Sequence, residues 1–284
     1  MRIGVIGAGT MGHGIAQVAA MAGHRVVLAD ATSELALRGI ERIRENLEGG
    51  VARGKVSPET RDAALARVRA GTDIADAAAG AAIVIEAVPE GLELKRAIFG
   101  ELDGCAPASG ILATNTSSLS ITDIQSGTAH PGRVIGLHFF NPVHINVLVE
   151  VVRGRETSEE TVAAALAFVA DLGKEAVLVN DAPGFATSRL GVLLGLEAMR
   201  MVEEGVARPA DIDKAMELGY RHPMGPLRLT DLVGLDVRLA IAEYLFEKLG
   251  TEAFRPPQIL RDMVRAGRLG RKTGEGFYRW PEGG

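Results

Sequence analysis

The sequence predicts an α/β protein with a doubly wound, mostly parallel β-sheet covered by helices, followed by a smaller all-α domain. Two observations indicate this fold class. Short apolar segments typical of buried strands alternate with helical stretches as far as residue 180. Beyond that point no segment has the character of a strand, and long helical periodicities take over.

The first strand is predicted over residues 3–6, and a glycine-rich turn joins it to a helix with one apolar face. After a second strand over residues 25–29, a charged helical segment covers residues 33–47. A further helix begins at Ser57, where serine followed by proline resembles an N-cap and a first turn, so the two helices form a predicted hairpin. Further strands are predicted over residues 82–88, 110–114, 133–137, 147–152 and 175–179.

The pattern changes within the segment Asn-Asp-Ala-Pro-Gly-Phe at residues 180–185. Proline and glycine interrupt regular structure, and no strand is predicted after them. We therefore predict a boundary near residue 181, with a sheet domain over residues 1–181 and a helical domain over residues 182–284. Helices in the second domain are predicted over residues 188–204, 211–218, 230–249 and 257–266.

Composition narrows the functional classes. The 284 residues are 47% hydrophobic with a formal net charge of −5, so the sequence lacks the basic footprint of nucleic-acid binding. No apolar stretch is long enough to cross a membrane, and the short one after Arg2 is broken by glycines that do not suit a signal peptide. We therefore expect a cytoplasmic protein. Cys105 is the only cysteine, which excludes an internal disulfide, and no metal is expected.

The glycine-rich turn reads Gly7-Ala8-Gly9-Thr10-Met11-Gly12 and lies between a strand and a helix, the context of a dinucleotide-binding Rossmann fold. In that fold Gly7 permits a tight turn, Gly9 lets the backbone approach a pyrophosphate, and Gly12 lets helix and strand pack closely. The amides at the helix N-terminus bind the phosphates. Asp30 ends the second strand, at the offset of about 20 residues where an acidic side chain meets the adenosine ribose. Because a carboxylate repels a 2′-phosphate, we predict NAD rather than NADP as the cofactor.

His138 and Glu150 are the second chemical feature. Glu150 lies in the apolar run over residues 147–152, where an unpaired carboxylate is costly, so we expect a cation or a strong donor to face it. Imidazole titrates near neutrality. A carboxylate bonded to one ring nitrogen stabilises the imidazolium that forms when the other nitrogen takes a proton. Beside a hydride acceptor, such a pair is suited to the oxidation of an alcohol.

Further motifs follow in collinear order through both predicted domains. They are Asn115-Thr116-Ser117-Ser118-Leu119, Gly136-Leu137-His138-Phe139-Phe140-Asn141-Pro142-Val143, Leu148-Val149-Glu150-Val151-Val152, Asp181-Ala182-Pro183-Gly184-Phe185, Met224-Gly225-Pro226 and Gly270-Arg271-Lys272-Thr273-Gly274-Glu275-Gly276-Phe277-Tyr278. Through these motifs nearly the whole chain resembles the 3-hydroxyacyl-CoA dehydrogenases, which include bacterial 3-hydroxybutyryl-CoA dehydrogenases. The resemblance implies a homodimer that oxidises L-3-hydroxyacyl-CoA to 3-oxoacyl-CoA with NAD, as in fatty-acid β-oxidation or 3-hydroxybutyryl-CoA metabolism.

The resemblance also implies roles for single residues at the reacting end of the substrate. His138 is the base that removes the proton of the 3-hydroxyl group, and Glu150 orients it. Ser117 holds the substrate oxygen, and Asn141 fixes the substrate or the catalytic turn. Serine and asparagine side chains also satisfy local backbone groups, so turn chemistry is an alternative explanation for Ser117 and Asn141.

For the cofactor, the resemblance adds Glu90, Lys95, Ser117 and Lys272 to the glycine-rich turn and its partner aspartate. The two lysines are expected to meet polar parts of the nucleotide or the nicotinamide end. An exposed, solvated position on a helix is the alternative for Lys95, because it lies in a charged run. Glu86 lies in an otherwise apolar strand, where either a buried structural hydrogen bond or a cofactor role explains it.

The chain departs from the family in two places. Many relatives have asparagine at the position of Ser188. A hydroxyl is shorter than a carboxamide, so we expect the contact there to substrate or to the His138 loop to be lost, bridged by water or supplied elsewhere. The segment His144-Ile145-Asn146-Val147 stands where relatives often have a proline and a Met-Lys pair. An extra polar contact near the site is one explanation for His144, but a lone histidine after a turn is more often structural or exposed. Neither change removes the base or its carboxylate.

The implied substrate is an acyl-CoA thioester, a polyanion. Candidates for contacts with its phosphates are Arg38, Arg42, Arg44, Arg53 and Lys55. Interleaved glutamates favour the simpler interpretation that these residues form solvated ion pairs. Two other functions stay open: a hydroxyacid or sugar-acid dehydrogenase that does not use coenzyme A, and a non-catalytic NAD(H)-binding sensor. The intact histidine motif speaks against the first of these, and Ser188 is the only feature that suggests the second.

Overall fold

The structure, a computed structural model, describes residues 1–281. The chain divides into two compact units, Met1–Ala182 and Pro183–Gly284. This division falls one residue beyond the boundary drawn from the sequence. The first unit contains a mostly parallel sheet and the second is helical, so the predicted fold class is confirmed.

One eight-stranded sheet forms the framework of the first unit. Its strands are β1 (Arg2–Ile6), β2 (Arg25–Ala29), β3 (Val68–Ala70), β4 (Ile83–Glu86), β5 (Ile111–Thr114), β6 (Val134–Phe139), β7 (Leu148–Arg153) and β8 (Glu175–Asn180). Their order across the sheet is β3-β2-β1-β4-β5-β6-β7-β8. All neighbours are parallel except β6 and β7, which are antiparallel. Strands β1 to β6 therefore end at one edge of the sheet, and β7 begins at that edge.

Helices connect these strands and pack on the sheet. They are α1 (Thr10–Met21), α2 (Ser33–Ala52), α3 (Pro58–Leu65), α4 (Ile74–Ala78), α5 (Leu92–Cys105), α6 (Ile121–Gln125) and α7 (Glu159–Asp171). At the start of α3, the Ser57 hydroxyl accepts a hydrogen bond from the Thr60 amide (3.1 Å), which confirms the predicted N-cap. Helices α2 and α3 pack together as the predicted hairpin. The central strands bury nearly all of their side chains, which explains their continuous apolar sequences.

The second unit is built from helices. They are α8 (Thr187–Glu203), α9 (Pro209–Gly219), α10 (Pro226–Val233), α11 (Leu235–Leu249) and α12 (Gln258–Arg265). Their apolar faces meet in a core that includes Leu196, Met199, Leu227, Leu245 and Leu260. Between residues 183 and 281 the structure contains isolated β-bridges but no strand.

The prediction of one helix over residues 230–249 is wrong. Gly234 separates α10 from α11 and has φ 104°. Residues other than glycine rarely adopt this backbone conformation. The Gly234 amide still donates to the Thr230 carbonyl oxygen (2.9 Å), whereas the Leu235 amide donates outside the helix to the Leu269 carbonyl oxygen (3.2 Å). The helix is therefore interrupted although its apolar periodicity continues.

No helix within residues 1–281 combines the length and the apolar character needed to cross a membrane. The same residues contain no group of three or more His, Cys, Asp or Glu side chains that could hold a metal ion. Cys105, the last residue of α5, is a free thiol, and burial raises its pKa. Because the thiolate is the reactive form, this shift lowers the reactivity of Cys105 at neutral pH.

Replacing Gly234 with alanine should destabilise the helical unit, because holding a Cβ-bearing residue at φ 104° costs on the order of 1–3 kcal/mol. Gly219, the last residue of α9, is the matched control, since a Cβ added there meets nothing within 4 Å. Urea unfolding of both variants measures the free energy of unfolding. A Gly234→Ala variant as stable as Gly219→Ala would contradict the constraint.

Candidate active site

The carboxyl-terminal edge shared by β1, β4, β5 and β6 collects the sequence motifs. The glycine-rich turn follows β1, residues 87–91 follow β4, residues 115–120 follow β5, and residues 140–147 follow β6. Open α/β sheets bind ligands at this edge because loops from neighbouring parallel strands converge there. The fold therefore brings the predicted cofactor turn, Ser117 and the end of the His138 strand to the same edge.

The glycine-rich turn has the geometry that a dinucleotide requires. Gly7 has φ 95°, and a Cβ on Gly12 would lie 1.7 Å from the Gly7 carbonyl oxygen, so both positions require glycine. Gly9 is the N-cap of α1, offers no side chain to cap the helix, and has nothing within 4 Å of a Cβ added to it. Open space and uncapped amides at the first turn of α1, which begins with Thr10 and Met11, therefore fit a pyrophosphate.

Asp30 follows β2 and reaches the same turn. Its carboxylate accepts hydrogen bonds from the amides of Ala8 (2.6 Å) and Ala31 (2.7 Å). Because β1 and β2 are adjacent, these bonds hold an acidic side chain beside the glycine-rich turn. This is the location expected for a contact with the adenosine ribose, and the ribose contact itself stays a prediction.

His138 and Glu150 face each other across β6 and β7. They are direct partners in the antiparallel register, and such partners project from the same face of a sheet. His138 Nδ1 lies 2.7 Å from Glu150 Oε2, and the two residues are only 7% and 0% exposed. The Phe140 ring packs on the imidazole with ring centroids 4.4 Å apart. The glutamate within the apolar run is therefore paired, as its burial requires.

The turn after β5 is held by Glu90. Glu90 Oε1 accepts hydrogen bonds from Thr116 Oγ1 (2.5 Å), Ser118 Oγ (3.2 Å) and the Ser117 amide (3.3 Å). Thr116 is buried, and Ser117 is partly exposed at the edge of the sheet. Glu90 and Ser117, both predicted as site residues, are thus brought together.

Two asparagines border the strand that carries His138. Asn115 was not predicted as a site residue, yet its Oδ1 accepts a hydrogen bond from the Phe139 amide (3.0 Å) and ties the turn after β5 to the end of β6. Its position directly after a buried strand was the signal in the sequence. Asn141 lies exposed in the loop after β6, and its peptide bond to Pro142 is cis. A contact between Asn141 and substrate stays a prediction.

The interpretation of Lys95 as an exposed, solvated lysine is wrong. Lys95 is 1% exposed; its Nζ donates to Glu86 Oε1 (2.7 Å) and lies 3.4 Å from Glu90 Oε2. Glu86 is completely buried and also accepts hydrogen bonds from the Val88 amide and Thr114 Oγ1, both at 2.7 Å. Of the two explanations for Glu86, the buried structural hydrogen bond is therefore observed.

Lys272 and Ser188 lie in the helical unit. Lys272 Nζ donates to Asp236 Oδ2 (2.6 Å), and Ser188 lies in the first turn of α8. Asp231, which was not predicted, is completely buried and accepts hydrogen bonds at 2.9 Å from two backbone amides of the segment that follows Lys272. It anchors that segment. The contact of Lys272 with the cofactor stays a prediction, and so does any direct or water-bridged contact of Ser188 with the substrate.

The charges near α2 follow the simpler interpretation in part. Arg38 and Arg44 each pair with a glutamate of the preceding turn, at 2.6 and 3.4 Å.

His144, in the loop after β6, has its pKa lowered by partial burial and by the charge of Arg53. The neutral form of His144 is therefore favoured at neutral pH.

A dinucleotide-type turn and a buried histidine–glutamate pair on one mostly parallel sheet are features of a NAD-binding oxidoreductase. A family model described as "3-hydroxyacyl-CoA dehydrogenase, NAD binding domain" matches residues 2–182, and one described as "3-hydroxyacyl-CoA dehydrogenase, C-terminal domain" matches residues 184–280. The chain belongs to the 3-hydroxyacyl-CoA dehydrogenase family, and NAD is its cofactor.

Similarity to individual proteins supports this family assignment. The chain is 45% identical over 282 residues to a probable 3-hydroxybutyryl-CoA dehydrogenase of Deinococcus radiodurans, covering 99% of this chain and 100% of that protein. It is 45% identical to a 3-hydroxybutyryl-CoA dehydrogenase of Mycobacterium tuberculosis over 98% of each chain. Its fold matches the crystal structure of (S)-3-hydroxybutyryl-CoA dehydrogenase from Ralstonia eutropha with a TM-score of 0.94, at 40% identity and 99% coverage of both chains.

Replacing Gly9 with alanine should leave the fold intact and weaken NADH binding by about tenfold or more, because the added methyl group meets no protein atom within 4 Å but projects where the pyrophosphate approaches. Gly12→Ala is the contrast: its Cβ collides with the Gly7 carbonyl and should lower the unfolding temperature. Fluorescence titration with NADH and thermal unfolding separate the two effects. An unchanged NADH affinity in Gly9→Ala would contradict the placement of the pyrophosphate.

Proposed function

We propose that this enzyme catalyses the reversible, NAD-dependent oxidation of L-3-hydroxyacyl-CoA to 3-oxoacyl-CoA, with His138 as the acid–base residue and Glu150 as its orienting partner. The observation that carries the proposal is the buried contact of 2.7 Å between His138 Nδ1 and Glu150 Oε2. Family membership supports the reaction class.

The Glu150 carboxylate determines which ring nitrogen of His138 carries the proton. An ionised carboxylate only accepts hydrogen bonds, so the Nδ1 that faces it carries a proton, and Nε2 is the basic nitrogen of the neutral ring. When Nε2 takes the proton of the 3-hydroxyl group, the new imidazolium lies beside a buried negative charge that stabilises it. In the reverse direction the imidazolium returns this proton to the ketone oxygen. One pair therefore serves both oxidation and reduction.

Other residues of the same edge are proposed to hold the substrate. Bound NAD supplies the hydride acceptor. Ser117 is proposed to bind the substrate oxygen, because its turn follows β5 and is held by hydrogen bonds to Glu90. Asn141, three residues after His138, is proposed to fix the substrate from the loop that follows β6. Fixed donors at these positions orient the reacting carbon without reorganisation during the reaction.

An acyl-CoA thioester is the proposed substrate. The relatives from D. radiodurans and M. tuberculosis are named 3-hydroxybutyryl-CoA dehydrogenases, which favours a short acyl chain. Fatty-acid β-oxidation and 3-hydroxybutyryl-CoA metabolism in the cytoplasm are the proposed settings. A homodimer stays a prediction, supported by large apolar side chains that the helical unit exposes, including Leu190, Leu218 and Tyr220.

Replacing His138 or Glu150 with glutamine should lower kcat by about 10²–10⁴-fold, because acid–base assistance is worth that much. NADH affinity should stay near wild type, since neither residue belongs to the glycine-rich turn. His24→Gln is the matched control: His24 is also buried, lies 3.1 Å from Asp171, and precedes β2 at the opposite edge of the sheet. Steady-state rates with acetoacetyl-CoA and NADH measure the effect, and full turnover in His138→Gln would refute the assignment.

Substrate requirements can be measured by following NADH absorbance with acetoacetyl-CoA. Oxidation of NADH should be rapid and that of NADPH slower, because the Asp30 carboxylate repels a 2′-phosphate. Free acetoacetate should not react at a comparable rate, because it lacks the coenzyme A part of the substrate. Activity with free acetoacetate would favour a dehydrogenase that does not use coenzyme A. Binding of NADH without turnover of the thioester would favour a sensor.

A further inference from the structure

A chain of charged contacts runs from β4 to the turn that carries Ser117. We propose that Glu86 is a positioning residue of the active site: it fixes Lys95, and Lys95 in turn holds Glu90 against the turn at residues 115–120. The inference rests on the proposed contact between Ser117 and the substrate oxygen. It gives Lys95 a role through Glu90 in addition to the cofactor contact expected of it.

Glu86 is the fixed end of this chain. It is the last residue of β4 and is completely buried. Its Oε1 accepts hydrogen bonds from the Val88 amide and Lys95 Nζ, and its Oε2 accepts one from Thr114 Oγ1, all at 2.7 Å. Thr114 is also its register partner on β5. A buried carboxylate held by a nearby backbone amide, a helix lysine and a threonine of the neighbouring strand has one stable orientation, because any other leaves charge unpaired.

Lys95 is the link between two carboxylates. Its Nζ lies 2.7 Å from Glu86 Oε1, 3.4 Å from Glu90 Oε2 and 3.4 Å from the Val88 carbonyl oxygen. The contacts with Glu86 and with the Val88 carbonyl oxygen are hydrogen bonds, and the contact with Glu90 is an ion pair. The side chain is buried in the first turn of α5. Its charge is therefore directed at the β4–α5 connection.

Glu90 transmits this position to the serine turn. One carboxylate oxygen, Oε2, faces Lys95, while the other, Oε1, accepts hydrogen bonds from Thr116 Oγ1, Ser118 Oγ and the Ser117 amide. The Glu90 side chain is 39% exposed, so without a neighbouring cation it would exchange among rotamers in water. Attraction to Lys95 favours the rotamer that keeps Oε1 on the turn. The placement of Ser117 therefore depends on a residue of β4 that does not contact it.

The double variant Glu86→Gln/Lys95→Met tests this dependence, because it removes the charged link and keeps the neighbouring hydrogen bonds. The glutamine carbonyl can accept from the Val88 amide, and its amide can donate to Thr114 Oγ1, so no buried charge is left unpaired. Single variants at either position would leave such a charge. We therefore expect the double variant to fold with an unfolding temperature near that of the wild type.

In this double variant kcat should fall about 10- to 100-fold, because a displacement of about 1 Å in a positioning group has an effect of that size. The dissociation constant of NADH, measured on the same variant, reports separately on the cofactor contact expected of Lys95. Hydrogen exchange in a peptide covering residues 114–120 should become faster. Glu90→Gln breaks the same link at a partly exposed position, should change kcat and exchange in the same direction, and decides the question if the double variant does not fold.

Asp103 and Arg133 provide the matched control. They form another largely buried ion pair in the same unit, at 2.8 Å, with side chains 7% and 10% exposed. Asp103 lies about two turns beyond Lys95 along α5, away from the carboxyl-terminal edge. The control variant Asp103→Asn/Arg133→Met should therefore keep the wild-type kcat and the wild-type exchange of residues 114–120.

Unchanged kcat and exchange in Glu86→Gln/Lys95→Met would overturn the inference. An NADH dissociation constant raised about tenfold or more, with wild-type exchange at residues 114–120, would also overturn it, because the fall in kcat would then reflect the cofactor contact of Lys95 alone. Ser117→Ala separates these results from a failure of the proposed function. If Ser117→Ala keeps full turnover, the substrate contact of Ser117 is refuted, and exchange at residues 114–120 alone decides whether Glu86 positions the turn.

Discussion

The antiparallel pairing of β6 with β7 is the constraint on which the candidate active site depends. It sets His138 opposite Glu150, so that imidazole and carboxylate project from one face and meet at 2.7 Å. A shift of the register by one residue would turn Glu150 to the other face and separate the pair. Gly136 favours the observed register, because a Cβ at this position would lie 2.7 Å from Val152 Cβ, on the residue paired with it. Close contact between the two strands therefore favours the register that places His138 beside Glu150.

Each buried ionisable side chain at this edge of the sheet lies beside a partner, because burying it unpaired would cost free energy. His138 with Glu150 and Lys95 with Glu86 both lie at or near the carboxyl-terminal edge, above strands that are otherwise apolar. The apolar strands exclude water and strengthen each pairing, and the same exclusion makes any alternative orientation unfavourable. Such groups are preorganised: they need little rearrangement when substrate arrives, as the proposed acid–base catalysis and the proposed binding of the substrate oxygen require.

Strands with continuous apolar sequence were predictable, whereas β3 was not. Val68–Ala70 is three residues long and only partly buried, and it contains an arginine, so it has no apolar run. The interruption at Gly234 was missed because periodicity carries no information about φ at a single residue. The burial of Lys95 was missed because a charged run on a helix looks solvated until a carboxylate from another element, Glu86, is placed beside it.

The kind of chemistry could be predicted from local sequence. The informative features were a glycine-rich turn after a strand, an aspartate at the end of the next strand, and a histidine and a glutamate within apolar runs. Each of them can be interpreted from a few neighbouring residues. Three-dimensional packing settled which of these groups meet. It paired His138 with Glu150, joined Lys95 to Glu86 and Glu90, and divided one apparent helix into two. The reason is physical: strand register, burial of charge and closure of a turn depend on contacts between segments distant along the chain.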